Sequence, residues 1–328
     1  MFQLTRFVVV IFLCFLIGLQ CYHAARAAYP DRPIRLIVPY PPGGPTDLIA
    51  RYLNEGLAKQ LGQSVVVDNR GGAASVIGAE IAARAPHDGY TLFVATVTTL
   101  AVNPVLLSKL SYDPERDFLP ISMLALQPYV LTTHPQVPAN TVTQLISYAK
   151  ANPGRLSFAS AGTGAGAHLA GELFKSMANI DVVHIPYKGT GPAIIDLLSG
   201  QVAYMFGGIS IVQPHALSGK LRMLAVSSAR RSFSLPDLPT VAEGGVIGFG
   251  TNSWNALVAP RGTSSDIIRL LNTAVNNVFT QAHLKEHLKR QGIDADPGTP
   301  QQLAAHIQSE LLRFKLLIKK INLKLDQI

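Results

Sequence analysis

Two short stretches carry the residue types that could do chemistry. "PPGGPTD", Pro41 to Asp47, follows the apolar run "IRLIV" and opens a helix pattern; "SAGTGAGAH", Ser160 to His168, follows "LSFA" and opens another. In the first, Gly43 and Gly44 allow a tight turn and Pro45 suits the first helical position. Asp47 falls in the first turn, where the helix dipole favours a carboxylate. In the second, Gly162, Gly164 and Gly166 remove side chains, while Ser160 and Thr163 offer hydroxyls beside the unpaired amides of the next helix. Free amides at a helix start bind anions, so one such turn in each half of a molecule predicts two anion sites that face each other.

Enzymatic readings of the second turn fit less well. "GTGAGA" formally matches the dinucleotide fingerprint, but that site wants an acid just after the next strand, and here Asp181 precedes "VVHI" while Pro186 and Tyr187 follow. "ASAG" lacks the leading glycine of a nucleophile elbow, and no acid-then-histidine order completes a triad. His168 and Glu172 stand four apart on a helix, but two ligands are too few for a metal, and they read as a packed or solvated pair. Tyr187 and Lys188 follow a strand at the end where a cleft is expected. Lys188 there either meets an anion or is an ordinary surface lysine of a turn.

The elements that must position these turns alternate strand and helix along most of the chain, which predicts parallel sheets covered by helices on both faces. Two sheets imply two lobes. Beyond "WNALVAP" the pattern turns to helices alone, "SSDIIRLLNTAVNNVF" and "TPQQLAAHIQSELLRFKLLIKKI", which need the first lobe's sheet to cover. The chain therefore crosses twice, near "ISMLALQPYVLTTH" and back near "FGTNSWNALVAP". This makes the first lobe discontinuous, 28–126 plus 254–328, with the second at 127–253. Paired crossings make a cleft, and ligands of open parallel sheets sit beyond the strands' carboxyl ends. Trp254, the sole tryptophan, lies in the return crossing, either as a reporter of hinge motion or as core of the first lobe.

Residues 1–27 read as a secretory signal, with Arg6, the apolar "FVVVIFLCFLIGL" and "ARA" ending at Ala27 as a small-x-small cleavage site. Both cysteines, Cys14 and Cys21, lie inside it, leaving no thiol in the secreted chain, which suits an oxidising periplasm. Of the 28 basic residues, Arg6 and Arg26 leave with the leader, so 26 remain against 20 acidic ones, a net charge of +6. Scattered as it is, this excess argues against nucleic-acid binding and is compatible with anionic solutes.

Together, "YPDRPIRLIVPYPPGGPTDLIAR", "VVVDNRGGAASVIGAEIAARAPHDGYTLF", "AVNPVLLSKLSYDPERDF", "AGAHLAGELFKSMANIDVVHIPYKGTGPAIIDLLSGQV", "GKLRMLAV" and "LPDLPTVAEGG" resemble the substrate-binding receptors of tripartite tricarboxylate transporters, the Bug receptors, over Tyr29 to Asp326. The resemblance implies an α/β, two-lobed type II periplasmic binding protein fold that holds a small carboxylate between the two turns, often through bridging waters. It implies a non-catalytic monomer without cofactor or metal, and the membrane subunits of such a transporter as partners. Carried onto this chain, the clamp comprises Gly43, Gly44, Thr46 and Asp47 from one lobe and Ser160, Gly162, Thr163, Gly164 and His168 from the other. Thr96, Thr98 and Thr99 match a cleft-lining strand end. Two departures stand out: Ala165 replaces a common Ser or Thr, and Gly207 with Gly208 replaces an acidic "MFD". With Gly207 unable to pair an α-ammonium, a carboxylate without an amino group is expected. A periplasmic sensor adaptor is the alternative reading, and a secreted hydrolase would require turnover.

Overall fold

The computed structural model describes residues 29–187 and 189–321; the leader and Lys188 lie outside the described residues. The first strand, β1 (Ile34–Val38), leads through the "PPGGP" turn into α1 (Pro45–Leu61), then β2 (Val65–Asn69), α2 (Val76–Ala83) and β3 (Thr91–Thr96). All six residues of β3 are buried, as a strand covered on both faces requires. Two short helices, α3 (Asn103–Leu106) and α4 (Pro114–Asp117), precede the 16-residue strand β4 (Phe118–Thr133). The middle of the chain gives α5 (Val142–Ala151), β5 (Ser157–Ser160), α6 (Gly166–Ala178), β6 (Val183–Pro186), α7 (Thr190–Leu198), β7 (Tyr204–Gly208), α8 (Ile209–Leu217) and β8 (Arg222–Val226). The return strand β9 (Asn252–Pro260) is followed by α9 (Ser265–Phe279), α10 (Ala282–Arg290), the two-residue β10 (Asp294–Ala295) and α11 (Pro300–Ile321).

The strands run in one path, β2-β1-β3-β9-β4-β7-β5-β6, with β8 and β10 also pairing β4. The expectation of two parallel sheets is corrected here. β2-β1-β3 and β7-β5-β6 are parallel trios, but β9 and β4 join them and run antiparallel to each other and to the strands they meet. The reason is connectivity: the chain leaves the first half on β4 and returns on β9, so neighbouring crossings point in opposite directions. Along β4, Phe118–Pro128 faces β9, and from Tyr129 onward the strand turns to β7 and β8. The change of partner at Pro128 and Tyr129 divides the sheet into its two halves.

Each half has apolar clusters on both faces. In the first, α9 and α10 bring Leu271, Val275, Phe279, Leu284 and Leu288 onto Ile34, Leu36 and Ile49, while α11 brings Leu303, Ile307 and Phe314 onto Phe93, Phe118 and Trp254. The C-terminal helices thus cover the first half's sheet. The second half packs Phe158, Phe174, Tyr204, Phe206 and Phe249 on one face and Val130, Ile194 and Met205 on the other. Leu169 of α6 belongs to the cluster of Trp254 and joins the halves. Trp254 itself is fully buried, its indole donating to Glu310 Oε2 of α11 at 3.2 Å, so it is core of the first half.

Candidate functional site

A cleft of about 620 Å³ opens between the halves, walled by Tyr40 to Pro42, Gly44 to Thr46, Ala74, Ser75, Thr96 to Thr98, Asn103, Gln127, Tyr129, Ala161 to Gly166 and Ser253 among others. Four helical starts meet there: α1 at Gly44 to Thr46, α2 at Ser75, the π-helical turn Thr98–Val102 at Val97, and α6 at Ala165. None of the four has a side-chain cap. By contrast Asp113, Thr141 and Ser264 cap α4, α5 and α9 with their own oxygens. No acidic, basic or histidine side chain among the described residues lines the cleft. Its electrostatics therefore come from first-turn amides and the positive ends of helix dipoles, each equivalent to roughly half a charge.

The first turn is braced from behind. Gly43 has φ of 93°, which an L side chain rarely adopts, and its amide donates to Asp47 Oδ2 at 2.9 Å. The same carboxylate accepts from Arg51 Nε at 2.8 Å and from Asn69 Nδ2 at 3.0 Å, and Asn69 also donates to the Tyr40 carbonyl. Burial opposes the charge on Asp47, but bonds from Arg51, Gly43 and Asn69 outweigh it and hold the carboxyl below its ordinary range. Asp47 is almost wholly buried. With Gly43 it borders a neighbouring cavity of about 530 Å³ shared with Gly44, Pro45, Gln127 and Tyr129. Thr46 lines the main cleft and accepts from Asn255 Nδ2 at 3.0 Å.

The second turn is braced by histidines. Gly164 has φ of 79°, and its amide donates to His168 Nδ1 at 3.0 Å. The His168 ring stacks on His184 with centroids 3.9 Å apart, and His184 Nε2 lies 2.7 Å from Ser160 Oγ. Ser160 Oγ donates to the Gly162 carbonyl and accepts the Gly162 amide. Burial first, then the charges of His184 and Lys175, push His168 down to about 3; burial and Lys175 push His184 down to about 4. Both rings are neutral at physiological pH, so Nδ1 of His168 remains an acceptor.

The expected residues thus divide. Gly44, Thr46, Thr96, Thr98, Gly162, Thr163 and Gly164 are brought together on the cleft wall, and Gly43 and Asp47 border the adjoining cavity. Ser160, His168 and Thr99 stand behind the wall; Thr99 Oγ1 bonds the Thr96 amide and carbonyl instead. Tyr187 donates its hydroxyl to Asp196 at 2.7 Å, and its amide bonds the Ser160 carbonyl. Gly207 packs where an added Cβ would lie 2.4 Å from Val212. Tyr40, Ser75, Asn103, Gln127, Tyr129 and Ser253 escaped the sequence reading. Gln127 and Tyr129 did leave a signal, being polar residues within an apolar crossing strand.

The model of the tripartite tricarboxylate transporter family receptors matches residues 49–323. BugT of Bordetella pertussis is 41% identical over 298 residues, covering 90% of this chain and 91% of that protein. Among solved structures, an R. palustris protein with adipate is 35% identical at a TM-score of 0.79, covering 90% of this chain and 99% of that one. MatC from Rhodopseudomonas palustris with bound malate is 33% identical at a TM-score of 0.74, covering 88% and 100%.

Proposed function

Since the chain belongs to the tripartite tricarboxylate transporter receptor family, we propose that it captures a small carboxylate between its halves in the periplasm and delivers it to the membrane subunits of such a transporter. The observation that carries this reading is the convergence of four uncapped helical starts on a cleft lined, among the described residues, by no charged side chain. Such a wall stabilises an anion by oriented amides, and it returns the ligand without breaking a salt bridge. Adipate and malate, held by two relatives, are dicarboxylates.

In this reading the clamp is Gly43, Gly44 and Thr46 against Gly162, Thr163 and Gly164, with Thr96 and Thr98 on the side wall. Asp47, Ser160 and His168 position the turns. The lobes comprise 28–126 with 254–328, and 127–253; the chain acts as a monomer and leaves the inner membrane with cleavage after Ala27. It binds without turnover. A thermal-shift screen over mono-, di- and tricarboxylates and amino acids, followed by calorimetry, tests it. Saturable binding of a carboxylate recovered chemically unchanged is expected, whereas no stabilisation by any carboxylate, or release of product from it, would overturn the reading.

A further inference from the structure

Asp294 reaches across the boundary between the halves. It lies in β10, paired with β4 at Leu126 and Ala125 on the first half's side of the switch at Pro128 and Tyr129, and the preceding Ile293 packs in the first half's cluster. Its carboxylate is held by the turn after β8: Ser232 Oγ donates to Oδ2 and Ser234 Oγ donates to Oδ1, both at 3.0 Å. That turn belongs to the second half. The Val226 amide bonds the Pro239 carbonyl and the Val241 amide bonds the Val226 carbonyl, while Leu235 and Leu238 pack against the cluster of Val130 and Met205.

The contact has an apolar neighbour. Gly292, two residues before Asp294, has φ of 72°, and a Cβ there would lie 2.4 Å from Ile209 Cβ, so the turn after α10 seats directly on the first residue of α8. Both contacts stand outside the clamp: none of these residues lines the main cleft, and Ile209 and Gly292 border the adjoining cavity. The crossing strands β4 and β9 already join the halves, so continuity of the chain does not require this seam. Its chemistry suits engagement at a single separation. A serine hydroxyl stands one carbon from the backbone and cannot follow a retreating carboxylate, so a rotation that parts the halves strips both oxygens of Asp294 at once and uncovers Ile209, which is 3% exposed here. The seam is therefore made or lost as a unit.

Deepening the receptor reading above, on which its consequence for binding rests, we propose that Asp294, Ser232 and Ser234 form a catch that holds the halves of the empty receptor in the arrangement described here, so that the two clamp turns face each other before a ligand arrives. The catch touches no ligand. It acts by raising the fraction of binding-competent molecules, and apparent affinity scales with that fraction. Losing it weakens every ligand by one common factor and leaves their order unchanged.

Both cysteines of the chain fall within residues 1–27, so the secreted chain takes spin labels only where cysteine is introduced, at Lys59→Cys on α1 and Ile195→Cys on α7, both exposed. Pulsed electron-spin distances on the ligand-free protein should show one dominant population, and Asp294→Ala should move the majority of molecules to a longer distance. Ser232→Ala together with Ser234→Ala should give the same shift, and adding Asp294→Ala to that pair should add nothing. The serine pair also keeps the test sound if Asp294→Ala misfolds. Calorimetry with succinate, malate and adipate should show a common loss of roughly tenfold in each variant. An unchanged distance distribution in the folded variants would overturn the catch and leave a static bond, as would losses that differ among the three diacids by more than about threefold. Failure of every carboxylate in the thermal-shift screen to bind, with the distances still shifting, would overturn the carboxylate reading and leave the catch standing.

Discussion

Lowering the pH from 7 to 5 should lower the stability of the fold, and His168→Asn should blunt that sensitivity. In the folded protein His168 is 2% exposed and accepts the Gly164 amide at Nδ1. A proton on that nitrogen replaces the acceptor by a donor aimed at an N–H. The groups facing the ring give it little help: His184 of β6 is stacked on it, Lys175 repels a further positive charge, and Glu172 lies 3.9 Å from Nε2 with burial raising its own pKa. Tyr204 of β7 contributes no charge, since burial drives its pKa upward. Because burial and these neighbours hold His168 down at about 3 against an ordinary 6.5, only the unfolded chain takes up its proton between those values. Stability from this residue is therefore intact above pH 6.5 and falls as the pH drops toward 3. Between pH 7 and 5 the loss is about 2 kcal/mol, at roughly 1.4 kcal/mol per pH unit over the part of the window crossed.

Asparagine places an amide oxygen near the Nδ1 position and does not titrate. Thermal melts of both proteins from pH 7 to 5 should therefore diverge, with the wild type losing roughly 4 °C more than the variant. Carboxylate affinity of the folded protein should keep the same pH dependence in both, because the folded His168 ring stays neutral down to pH 5. The difference between the two proteins, rather than either curve alone, cancels titration of the ligand and of other groups. Parallel melting curves over this range would refute the reading of His168 as a ring held neutral by burial in the folded protein.

Asp47→Ala should weaken carboxylate binding by at least about tenfold, because the Gly43 amide loses a charge-assisted acceptor; calorimetry showing unchanged affinity would remove Asp47 from the turn's support. Glutamate and aspartate should bind at least about tenfold more weakly than glutarate and succinate, since an ammonium enters the cleft without a carboxylate partner and a buried unpaired charge is costly; submicromolar binding of either amino acid would contradict this. Trp254→Phe should lower stability by about 1–3 kcal/mol through lost packing and the buried Glu310 left without its indole donor. Trp254 emission should change little on ligand binding, because its polar and aromatic neighbours Glu310 and His306 both belong to α11. A large saturable shift would show that α11 moves with the lobes.

Much of this architecture is legible in sequence because its signals are local. Glycine punctuation after an apolar run, and proline at a first helical position, mark both turns without reference to distant residues. The antiparallel sense of β4 and β9 is not legible in the same way: a strand buried on both faces shows the same apolar run whichever direction it takes. Ser75 is hidden for a different reason. "GGAAS" suggests flexible glycines followed by an ordinary helix start, whereas contacts from Asn103, nearly thirty residues on, fix three non-glycine residues in the left-handed region. Thr99 and Gly207 carry the types a cleft uses, but local bonds claim the Thr99 hydroxyl and the close approach of Val212 accounts for Gly207.

The two clamp turns share a design that their sequences disguise. Each exposes backbone to the cleft and places a titratable residue behind it: Asp47 accepts the Gly43 amide, and His168 accepts the Gly164 amide, both four positions along the chain from the glycine they hold. The charge state of each support is fixed from outside the cleft, by Arg51 and Asn69 for Asp47 and by burial and the stacked His184 for His168. A ligand anion therefore meets amides oriented before it arrives and need not order the turns itself, which reduces the entropic cost of binding. Placing the acidic support behind the turn also matters. A carboxylate in the wall would repel an anion, whereas at Asp47 it is neutralised by the guanidinium of Arg51 and acts on the cleft only through the geometry of Gly43.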